Sequence, residues 1–384
     1  MATSAEFEFC TLTAPGRGAV AVIAIAGPGA AHALAEYFIS SSARLPTDLQ
    51  TQRIYHGRWA AAQGEEIVVC RSAAEEFEIH CHGGLAAVSR IAHDLESIGG
   101  ARVEERAWLA RRMANSIEQD AWLALAAART ERTANVLLDQ CHGALTREIE
   151  QVLTDCRQRH FDAACERLQL LAERAALGRH LVAPFDVVLA GPPNVGKSSL
   201  INALVGYKRA IVYDAPGTTR DVITADTAID GWPVTLSDTA GLRDSDDPLE
   251  SAGVQRALAR LQSADLIVLL FDACQPMTAP QRRLVEDFPA ALTALTKCDL
   301  QPGALQPGSP DGMLRTSAVT GAGLGELLAA ISDRLVPDPP RTGVGVAFTT
   351  AQCRSIEDAL AAVRHSDSAL AIELLSGLVA RPPA

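Results

Sequence analysis

The sequence predicts a multidomain chain in which an α+β N-terminal domain is followed by an α-helical bundle, and an α/β domain interrupts that bundle. Residues 1–98 carry short β-like runs separated by turn signals, with helical stretches near 30–39 and 85–98. Residues 103–180 are rich in Ala, Leu, Glu and Arg, and their apolar residues recur at the three- and four-residue spacing of amphipathic helices. Residues 184–337 alternate strand and helix patterns, which indicates a mostly parallel sheet covered by helices.

A helical pattern returns near the end of the chain. The stretch Val336–Arg341 contains three prolines and reads as a hinge, and residues 348–379 are again helical in pattern. A helical domain that continues after an inserted domain explains this order. We therefore predict an N-terminal domain at 1–98, a helical domain formed by 99–183 and 338–384, and an inserted α/β domain at 184–337.

Composition limits the function classes. The 384 residues carry a formal net charge of −12, which argues against a surface that coats nucleic acid generally, although a local basic patch could still bind RNA. Nine cysteines without paired spacing favour a reducing compartment. The early apolar run Ala19–Ala26 is far shorter than the roughly 20 residues that span a bilayer, and acidic Glu6 and Glu8 do not fit a signal peptide. We expect a cytoplasmic protein without a membrane partner.

The α/β domain opens with a phosphate-loop motif. Residues Gly191–Ser198 match G-x-x-x-x-G-K-[ST] in full, after an apolar strand and before a helix, which is the context that the motif requires. Backbone amides of such a loop surround a β-phosphate, the lysine bridges the β- and γ-phosphates, and the hydroxyl ligates Mg²⁺. The candidate nucleotide contacts here are Asn194, Val195, Gly196, Lys197, Ser198 and Ser199.

Two further elements follow in the expected order. Asp238 and Gly241 form a D-x-x-G element at the end of an apolar strand, where the carboxylate would hold the Mg²⁺ shell and the glycine amide would contact the γ-phosphate. Between the two motifs, Gly217, Thr218 and Thr219 belong to a threonine-bearing segment of the kind that switches with the nucleotide. We assign Mg²⁺ coordination to Ser198, Thr219 and Asp238.

The base-recognition motif departs from its usual form at one position. Thr296, Lys297 and Asp299 follow a strand, and the carboxylate of Asp299 can accept hydrogen bonds from guanine N1–H and N2–H₂, which adenine lacks. The first residue of this motif is usually Asn, so Thr296 predicts altered guanine affinity with retained specificity. Ser317 and Ala318 lie where a backbone amide would meet guanine O6. The α/β domain is therefore predicted to be a Ras-like P-loop GTPase that binds GTP or GDP with Mg²⁺, and a P-loop ATPase is disfavoured.

Several segments resemble the tRNA-modification GTPase family MnmE, also called TrmE. The G-domain sequences PNVGKSS (193–199), DAPGTTRD (214–221) and DTAGLR (238–243) are close to those of that family. Thr13–Gly18 is similar to its N-terminal signature, and Glu78–Gly84 to its E-x-x-x-HGG segment. With the interrupted helical domain, the resemblance covers most of the chain.

The resemblance implies a mechanism for hydrolysis. Leu242 stands where Ras-like enzymes place a water-orienting Gln, and a leucine cannot orient water. In the family, a loop Asn that matches Asn194 helps to bind K⁺, G domains dimerise across their nucleotides, and a Glu that matches Glu250 positions the attacking water. Asn194, Lys197 and Glu250 are thus the candidate catalytic residues. For Glu250, an exposed acid at a helix N-terminus is an equally favoured interpretation.

The flanking segments match the family less closely. The family binds a tetrahydrofolate derivative, to which Glu78 corresponds as a contact, but the family's contacting Arg falls on Ala24. The chain ends at Leu378–Ala384 without the family's F-C-I-G-K motif, and we interpret Cys353 as a packing residue. The pair Arg111–Arg112 could contact RNA, although an exposed helix face is the commoner reason for such a pair.

Two functions follow from these observations. The resemblance implies a K⁺-stimulated GTPase that acts in modification of tRNA wobble uridine, as a homodimer with a flavoprotein partner. The alternative is a GTP-driven switch or assembly factor that retains hydrolysis and dimerisation without the one-carbon chemistry. The missing C-terminal cysteine motif favours the second, and the overall resemblance favours the first.

Overall fold

The computed structural model describes residues 6–13, 18–60, 64–207, 211–212, 224–238, 260–301 and 312–381. The chain divides into two compact units, residues 1–119 with 381–384 and residues 120–380. The first unit is an α+β unit, and the second contains both a helical bundle and an α/β sheet. This confirms the predicted multidomain fold class. The three-domain division at residues 98, 183 and 337 stays a prediction.

The first unit is built on a seven-stranded sheet with the strand order β3-β4-β5-β6-β2-β1-β7. Its pairs are antiparallel except for the parallel pair β1–β7. The strands are β1 (Glu8–Thr11), β2 (Val20–Ala26), β3 (Phe38–Ser40), β4 (Ile54–Trp59), β5 (Glu65–Ala73), β6 (Glu76–His82) and β7 (Ala101–Arg102). The helices are α1 (Ala30–Tyr37), α2 (Leu85–Ser97) and α3 (Glu105–Ala110), and α4 (Ser116–Ala126) crosses into the second unit.

Alternation along β6 shows why one face of this sheet is covered. Phe77, Ile79 and Cys81 are buried, whereas Glu78 and His80 point to the opposite, partly exposed face. This period of two is what a strand with one buried face requires. Glu78, the residue matched to a folate contact, therefore lies on the partly exposed face, where its carboxylate is 3.2 Å from His80 Nε2.

The second unit contains another seven-stranded sheet, with the order β14-β13-β12-β8-β11-β10-β9. Its strands are β8 (Phe185–Ala190), β9 (Ile211–Val212), β10 (Thr224–Ile229), β11 (Trp232–Asp238), β12 (Leu266–Asp272), β13 (Leu292–Thr296) and β14 (Leu314–Arg315). The strands from β14 to β11 are parallel, and β10 joins β11 and β9 in antiparallel pairs. Val268–Phe271 of β12 are all buried, as expected of a central strand that is covered on both faces.

Helices before and after this sheet form one bundle. Helix α11 (Thr350–Arg364) packs on α7 (Phe161–Gly178) and on α12 (Ser368–Val379), and α12 also packs on α6 (Ala144–Arg157). The helices of this unit are α5 (Glu131–Cys141), α6 (Ala144–Arg157), α7 (Phe161–Gly178), α8 (Lys197–Val205), α9 (Ala279–Asp287), α10 (Leu324–Leu335), α11 (Thr350–Arg364) and α12 (Ser368–Val379). The predicted interruption of the helical bundle is therefore confirmed. Within the described ranges, no helix is both long enough and apolar enough to cross a membrane.

Hydrogen bonds fix the chain where it returns from the sheet to the bundle. The fully buried Gln140 accepts a bond from the Val346 amide and donates to the Val344 carbonyl, and the Gly345 amide donates to Glu148 at 2.7 Å. A Cβ at Gly178 would lie 1.7 Å from the Ala347 carbonyl oxygen, so only glycine permits this close approach. The point at which the α/β segment re-enters the bundle is thus closely defined.

Candidate nucleotide-binding site

The phosphate loop connects the end of β8 to the start of α8. Asn194 and Gly196 take left-handed backbone conformations, with φ of 61° and 97°, and Gly196 is the N-cap of α8. A Cβ at Gly191 would lie 2.5 Å from the Leu270 carbonyl oxygen, so the loop can pass β12 only with glycine there. Such a loop presents successive amides and a helix N-terminus to one point, which is an arrangement that binds phosphate.

Lys197 is buried inside this loop, with 6% of its surface exposed. Its Nζ donates hydrogen bonds of 3.2 Å to the carbonyls of Gly191 and Pro192 and lies 3.8 Å from an Asp238 carboxylate oxygen. A lysine is rarely buried to this extent unless it is paired. The ammonium charge is therefore held at the mouth of the loop, where it can attract phosphate oxygens.

A hydroxyl and a carboxylate meet beside the loop. Ser198 Oγ donates a 3.0 Å hydrogen bond to Asp238 Oδ2, and Asp238, at the end of β11, is 3% exposed. Among the residues that the structure describes, no group of three or more His, Cys, Asp or Glu could hold a metal ion by itself. Mg²⁺ usually takes one or two protein oxygens and completes its shell with water and substrate phosphates. The pair Ser198 and Asp238 fits that donor set.

Thr296, the position that departs from the usual motif, links the base-recognition strand to the phosphate loop. Its hydroxyl lies 2.6 Å from the Val195 carbonyl oxygen and 3.2 Å from the Phe271 carbonyl oxygen, and the residue is 4% exposed. A threonine hydroxyl carries one proton, so the shorter contact to Val195 is the stronger hydrogen bond. Thr296, which stands where the motif usually has Asn, therefore links the phosphate loop to the end of β13.

Asp299 is oriented by a second buried hydroxyl. Ser317 Oγ lies 2.6 Å from Asp299 Oδ1, and Ser317 is fully buried. The Ser317 amide donates to the Ala322 carbonyl, and the Thr320 amide donates to Ser317 Oγ. These bonds fix both Ser317 and the carboxylate that it contacts. Asp299 therefore keeps acceptor sites on both carboxylate oxygens for a planar donor pair such as that of guanine, and the Ser317 that it contacts is followed in the chain by Ala318.

Asp272 is a site residue that sequence analysis missed. Its carboxylate accepts a 2.7 Å hydrogen bond from Lys297 Nζ and another from the Cys274 amide. Burial acts to raise the pKa of Asp272, but these hydrogen bonds and the Lys297 charge lower it overall. The position of Asp272 could have indicated its role, since it ends β12, and β12 pairs with β13, the strand that ends at Thr296. The anionic Asp272 fixes the Lys297 side chain at the edge of the site.

The described site residues come together at the carboxyl ends of β8, β11, β12 and β13. A cleft of about 110 Å³ lies between the phosphate loop and these strand ends, lined by Pro192, Pro193, Asn194, Val195, Phe271, Asp272, Gln275, Gln281 and Lys297. Ser199 is exposed on α8. The sequence-predicted residues Gly217, Thr218, Thr219, Gly241, Leu242 and Glu250 lie outside the described residues. Glu78 belongs to the other unit.

Comparison with known proteins extends the likeness beyond this site. The family model of 50S ribosome-binding GTPases matches residues 186–297. The tRNA modification GTPase MnmE of Synechococcus sp. (strain WH7803) is 33% identical over 376 residues, covering 84% of this chain and 80% of the relative. MnmE of Syntrophotalea carbinolica is 33% identical over the same shares of the two chains. Among solved structures, the G domain of the T. maritima FeoB iron transporter is 30% identical in sequence, over 39% of this chain and 98% of that domain. Its TM-score is 0.29, which is too low to compare the two architectures.

The relatives match most of the chain, and the family model covers the phosphate loop, Asp238 and Lys297. A match of this extent cannot be confined to the nucleotide site and must include part of the N-terminal unit. The chain is therefore a GTP hydrolase as well as a nucleotide-binding protein. On these grounds the chain belongs to the family of tRNA modification GTPases MnmE.

Proposed function

We propose that this protein couples Mg²⁺-dependent GTP hydrolysis to modification of the wobble uridine of tRNA. One observation carries the proposal: relatives named tRNA modification GTPases align with 84% of the chain, so the likeness is not confined to the widespread G domain. The nucleotide site supports it, because the groups that would bind phosphate, Mg²⁺ and guanine meet at one edge of the sheet. A location in the cytoplasm remains a prediction.

Phosphate binding falls to the loop between β8 and α8. The amides of residues 194–199 lie at the N-terminus of α8, where the helix dipole adds positive potential. Lys197 would exchange its bonds to the Gly191 and Pro192 carbonyls for the β- and γ-phosphate oxygens. We propose Ser198 and Asp238, with Thr219, as the protein ligands of Mg²⁺ or of its bound water. When bound, Mg²⁺ neutralises charge that develops on the phosphate oxygens.

Guanine selection falls to Asp299. The Ser317 contact uses one lone pair of one carboxylate oxygen and leaves acceptor sites on both oxygens, and we propose that the carboxylate accepts from guanine N1–H with one oxygen and from N2–H₂ with the other. Thr296 acts through the loop instead, because its hydroxyl contacts the Val195 carbonyl. We therefore propose that guanine specificity is retained despite the exchange of Asn for Thr.

For the hydrolytic step we propose that a K⁺ ion supplies the positive charge which an arginine finger supplies elsewhere. Asn194 is the proposed K⁺ ligand: it is exposed on the phosphate loop and lines the cleft beside it. Glu250 is the proposed positioning residue for the attacking water. An added cationic charge at this point typically contributes a rate factor of ~10³–10⁵.

Salt exchange tests this step. Phosphate release from GTP should be faster in KCl than in NaCl at equal ionic strength, and Asn194→Ala should remove the difference while leaving the slower rate in NaCl unchanged. A Gln281→Ala variant, which alters a different residue of the same cleft, serves as the control and should keep the K⁺ effect. Equal wild-type rates in the two salts would exclude the cation model.

The wider proposal includes a homodimer of the chain and a flavoprotein partner, as the family resemblance implies. It is tested by expressing the full chain in a strain that lacks the tRNA modification and reading the wobble uridine by mass spectrometry. Restored modification supports the proposal, and Lys197→Ala should abolish it. Unmodified uridine in cells that contain folded, GTP-hydrolysing protein would contradict it.

One observation favours the alternative, a GTP-driven switch without one-carbon chemistry. Ala24, at the position matched to a folate-contacting arginine, is 4% exposed and packs in an apolar cluster with Cys10, Ala26 and Trp108. This position supplies no charge to a folate ligand, and Glu78 contacts His80. The same tRNA measurement separates the two functions, and folate binding to the full chain, measured by calorimetry, would count against the alternative.

A further inference from the structure

Arg44 and Arg53 border one shallow depression on the first unit. Its volume is about 330 Å³, and its lining consists of Ser41, Ser42, Arg44, Arg53, Ile54, Tyr55 and His56. No acidic residue is among these described lining residues, although acidic residues outnumber basic ones in the whole chain, 46 to 34. The depression is therefore locally cationic on a chain with a net charge of −12.

The two arginines differ from the other arginines that the structure describes among the first 119 residues. Arg58, Arg90 and Arg102 each face a carboxylate. Arg71 donates to main-chain carbonyls, and Arg106 also has a partner. Arg44 and Arg53 are exposed and form no hydrogen bond or ion pair with any residue that the structure describes.

Arg111 and Arg112, which the sequence offered as an RNA contact, are neutralised. Arg111 pairs with Glu8, and Arg112 pairs with Glu76 at 3.0 Å while its guanidinium stacks 3.6 Å above the Trp108 ring. The first 119 residues contain no lysine at all. Among the described arginines of the first 119 residues, the two without a hydrogen bond or ion pair, Arg44 and Arg53, therefore both lie at the depression.

The surroundings of the two arginines suit a phosphodiester backbone. Beside them lie the hydroxyl groups of Ser41 and Ser42 and the imidazole of His56. Ser41 Oγ is 3.0 Å from His56 Nδ1, and this contact fixes the orientation of the imidazole. Arginine and serine side chains and backbone N–H groups are among the donors that contact nucleic-acid phosphates. Ile54, which is 76% exposed, adds an apolar surface against which a ribose could pack.

A self-complementary contact between two copies is less favourable here. In a two-fold interface the same patch faces itself, so the arginines of one copy would approach those of the other. Like charges brought together in this way repel. An anionic ligand has no such cost.

We propose that the depression bordered by Arg44 and Arg53 binds the phosphate backbone of tRNA. This inference rests on the proposed function in tRNA modification and adds the surface through which the substrate is held. It also reconciles an acidic chain with an RNA substrate, since binding needs a local cationic surface and not a positive net charge.

The experiment measures tRNA affinity as a function of salt, by fluorescence anisotropy with end-labelled tRNA and the full chain. The double variant R44Q/R53Q should bind about tenfold or more weakly at low salt. Its slope of log K against log salt should be shallower by about 1.4–1.8, since each phosphate contact contributes about 0.7–0.9. R44K/R53K keeps both charges and should retain most of the wild-type slope.

The matched control is R283Q/R354Q, which removes two exposed arginines that likewise have no partner among the described residues. It should bind tRNA as the wild type does. GTP turnover and the thermal midpoint should be unchanged in all three variants, which separates a binding defect from a folding defect. Sedimentation of each variant reports whether the surface joins two copies.

The outcomes separate this inference from the proposed function. Wild-type affinity and slope for R44Q/R53Q would overturn it, and loss of self-association with intact tRNA binding would overturn it in favour of an interface between copies. If the wild type restores wobble-uridine modification but does not bind tRNA in this assay, the inference fails and the proposed function stands. If it does neither, both fail.

Discussion

The hydroxyl of Thr296 donates a 2.6 Å hydrogen bond to the main-chain carbonyl of Val195, joining the base-recognition strand to the phosphate loop. Both ends of this bond are buried, with Thr296 4% and Val195 1% exposed. The bond therefore lies inside the protein, where an unpaired polar group is costly. This side chain thus adds a direct bond between the two halves of the site, which we propose recognise base and phosphate.

Removing this hydroxyl tests its contribution. Thr296→Val keeps the shape but leaves the Val195 carbonyl without its donor, which should cost about 1–3 kcal/mol in stability. We also expect weaker binding of GTP and GDP, because the phosphate loop loses its support from β13. Titration with a fluorescent guanine nucleotide measures the Kd, and Thr296→Ser, which keeps the hydroxyl, is the control. Equal Kd values for Thr296→Val and the wild type would contradict this role.

The base preference depends on the Asp299 carboxylate. Asp299→Asn replaces one acceptor oxygen by an NH₂ donor, which no longer matches the N2–H₂ group of guanine but matches the C2 carbonyl of xanthine. We expect the preference between GTP and xanthosine triphosphate to shift toward the latter by at least about a hundredfold. Competition binding with both nucleotides measures the shift. Asp287→Asn, at the exposed end of α9, should leave the preference unchanged, and an unchanged preference in Asp299→Asn would refute the assignment.

The Mg²⁺ assignment predicts a separable defect at Ser198. Ser198→Ala removes the hydroxyl that contacts Asp238, so the Mg²⁺ concentration for half-maximal GTP hydrolysis should rise, by about tenfold or more. Binding of GDP in EDTA should stay within about twofold, because the phosphate-loop amides remain. Ser198→Thr is the conservative control, since the motif accepts either hydroxyl. An unaltered Mg²⁺ requirement in Ser198→Ala would remove the residue from the metal site.

His180 gives the second unit a predicted pH dependence. Its ring stacks on Phe185 with centroids 3.8 Å apart, and its Nε2 lies 3.4 Å from the Asp265 carboxylate. Burial lowers the pKa of His180 and outweighs the opposing effect of Asp265. The unfolded chain therefore takes up this proton at about pH 6.5 and the folded chain only at lower pH. The stability that the neutral ring contributes is complete above about pH 6.5 and is lost as the pH falls through the folded pKa.

The measurement compares thermal midpoints at pH 5.5 and pH 7.5. The wild type should lose more stability on acidification than His180→Phe, which keeps an aromatic ring against Phe185 but cannot be protonated. His32→Phe, on an exposed face of α1, controls for the exchange of a histidine for a phenylalanine and should behave as the wild type does. The same decrease in His180→Phe and the wild type would contradict the prediction.

Much of the fold and of the nucleotide site could be predicted because the information is local. Gly191–Ser198 contains the loop motif within eight consecutive residues, and the apolar run of β12 alone indicates a central strand. The interruption of the helical bundle could be predicted because a helical pattern returns after the α/β segment. Short strands such as β3 and β14, of three and two residues, carry too little pattern to be recognised.

What could not be predicted depends on pairing between distant residues. Arg111 and Arg112 look alike in sequence to any exposed basic pair, and only the fold shows that Glu8 and Glu76 neutralise them. The sequence likewise does not show that Arg44 and Arg53 have no partner among the described residues, since this depends on which carboxylates the sheet brings near them. Thr296 was noticed as a departure from the motif, but its bond to Val195 spans 101 positions in the chain.

Our central proposal is that the chain hydrolyses guanine nucleotide at the phosphate loop between β8 and α8. Its most direct test is phosphate release from GTP and from ATP by the purified full chain, with Mg²⁺ and K⁺ present. We predict turnover of GTP, at least about a hundredfold less turnover of ATP, and loss of GTP turnover in Lys197→Ala. Equal turnover of the two nucleotides, or GTP turnover that persists in Lys197→Ala, would contradict the account.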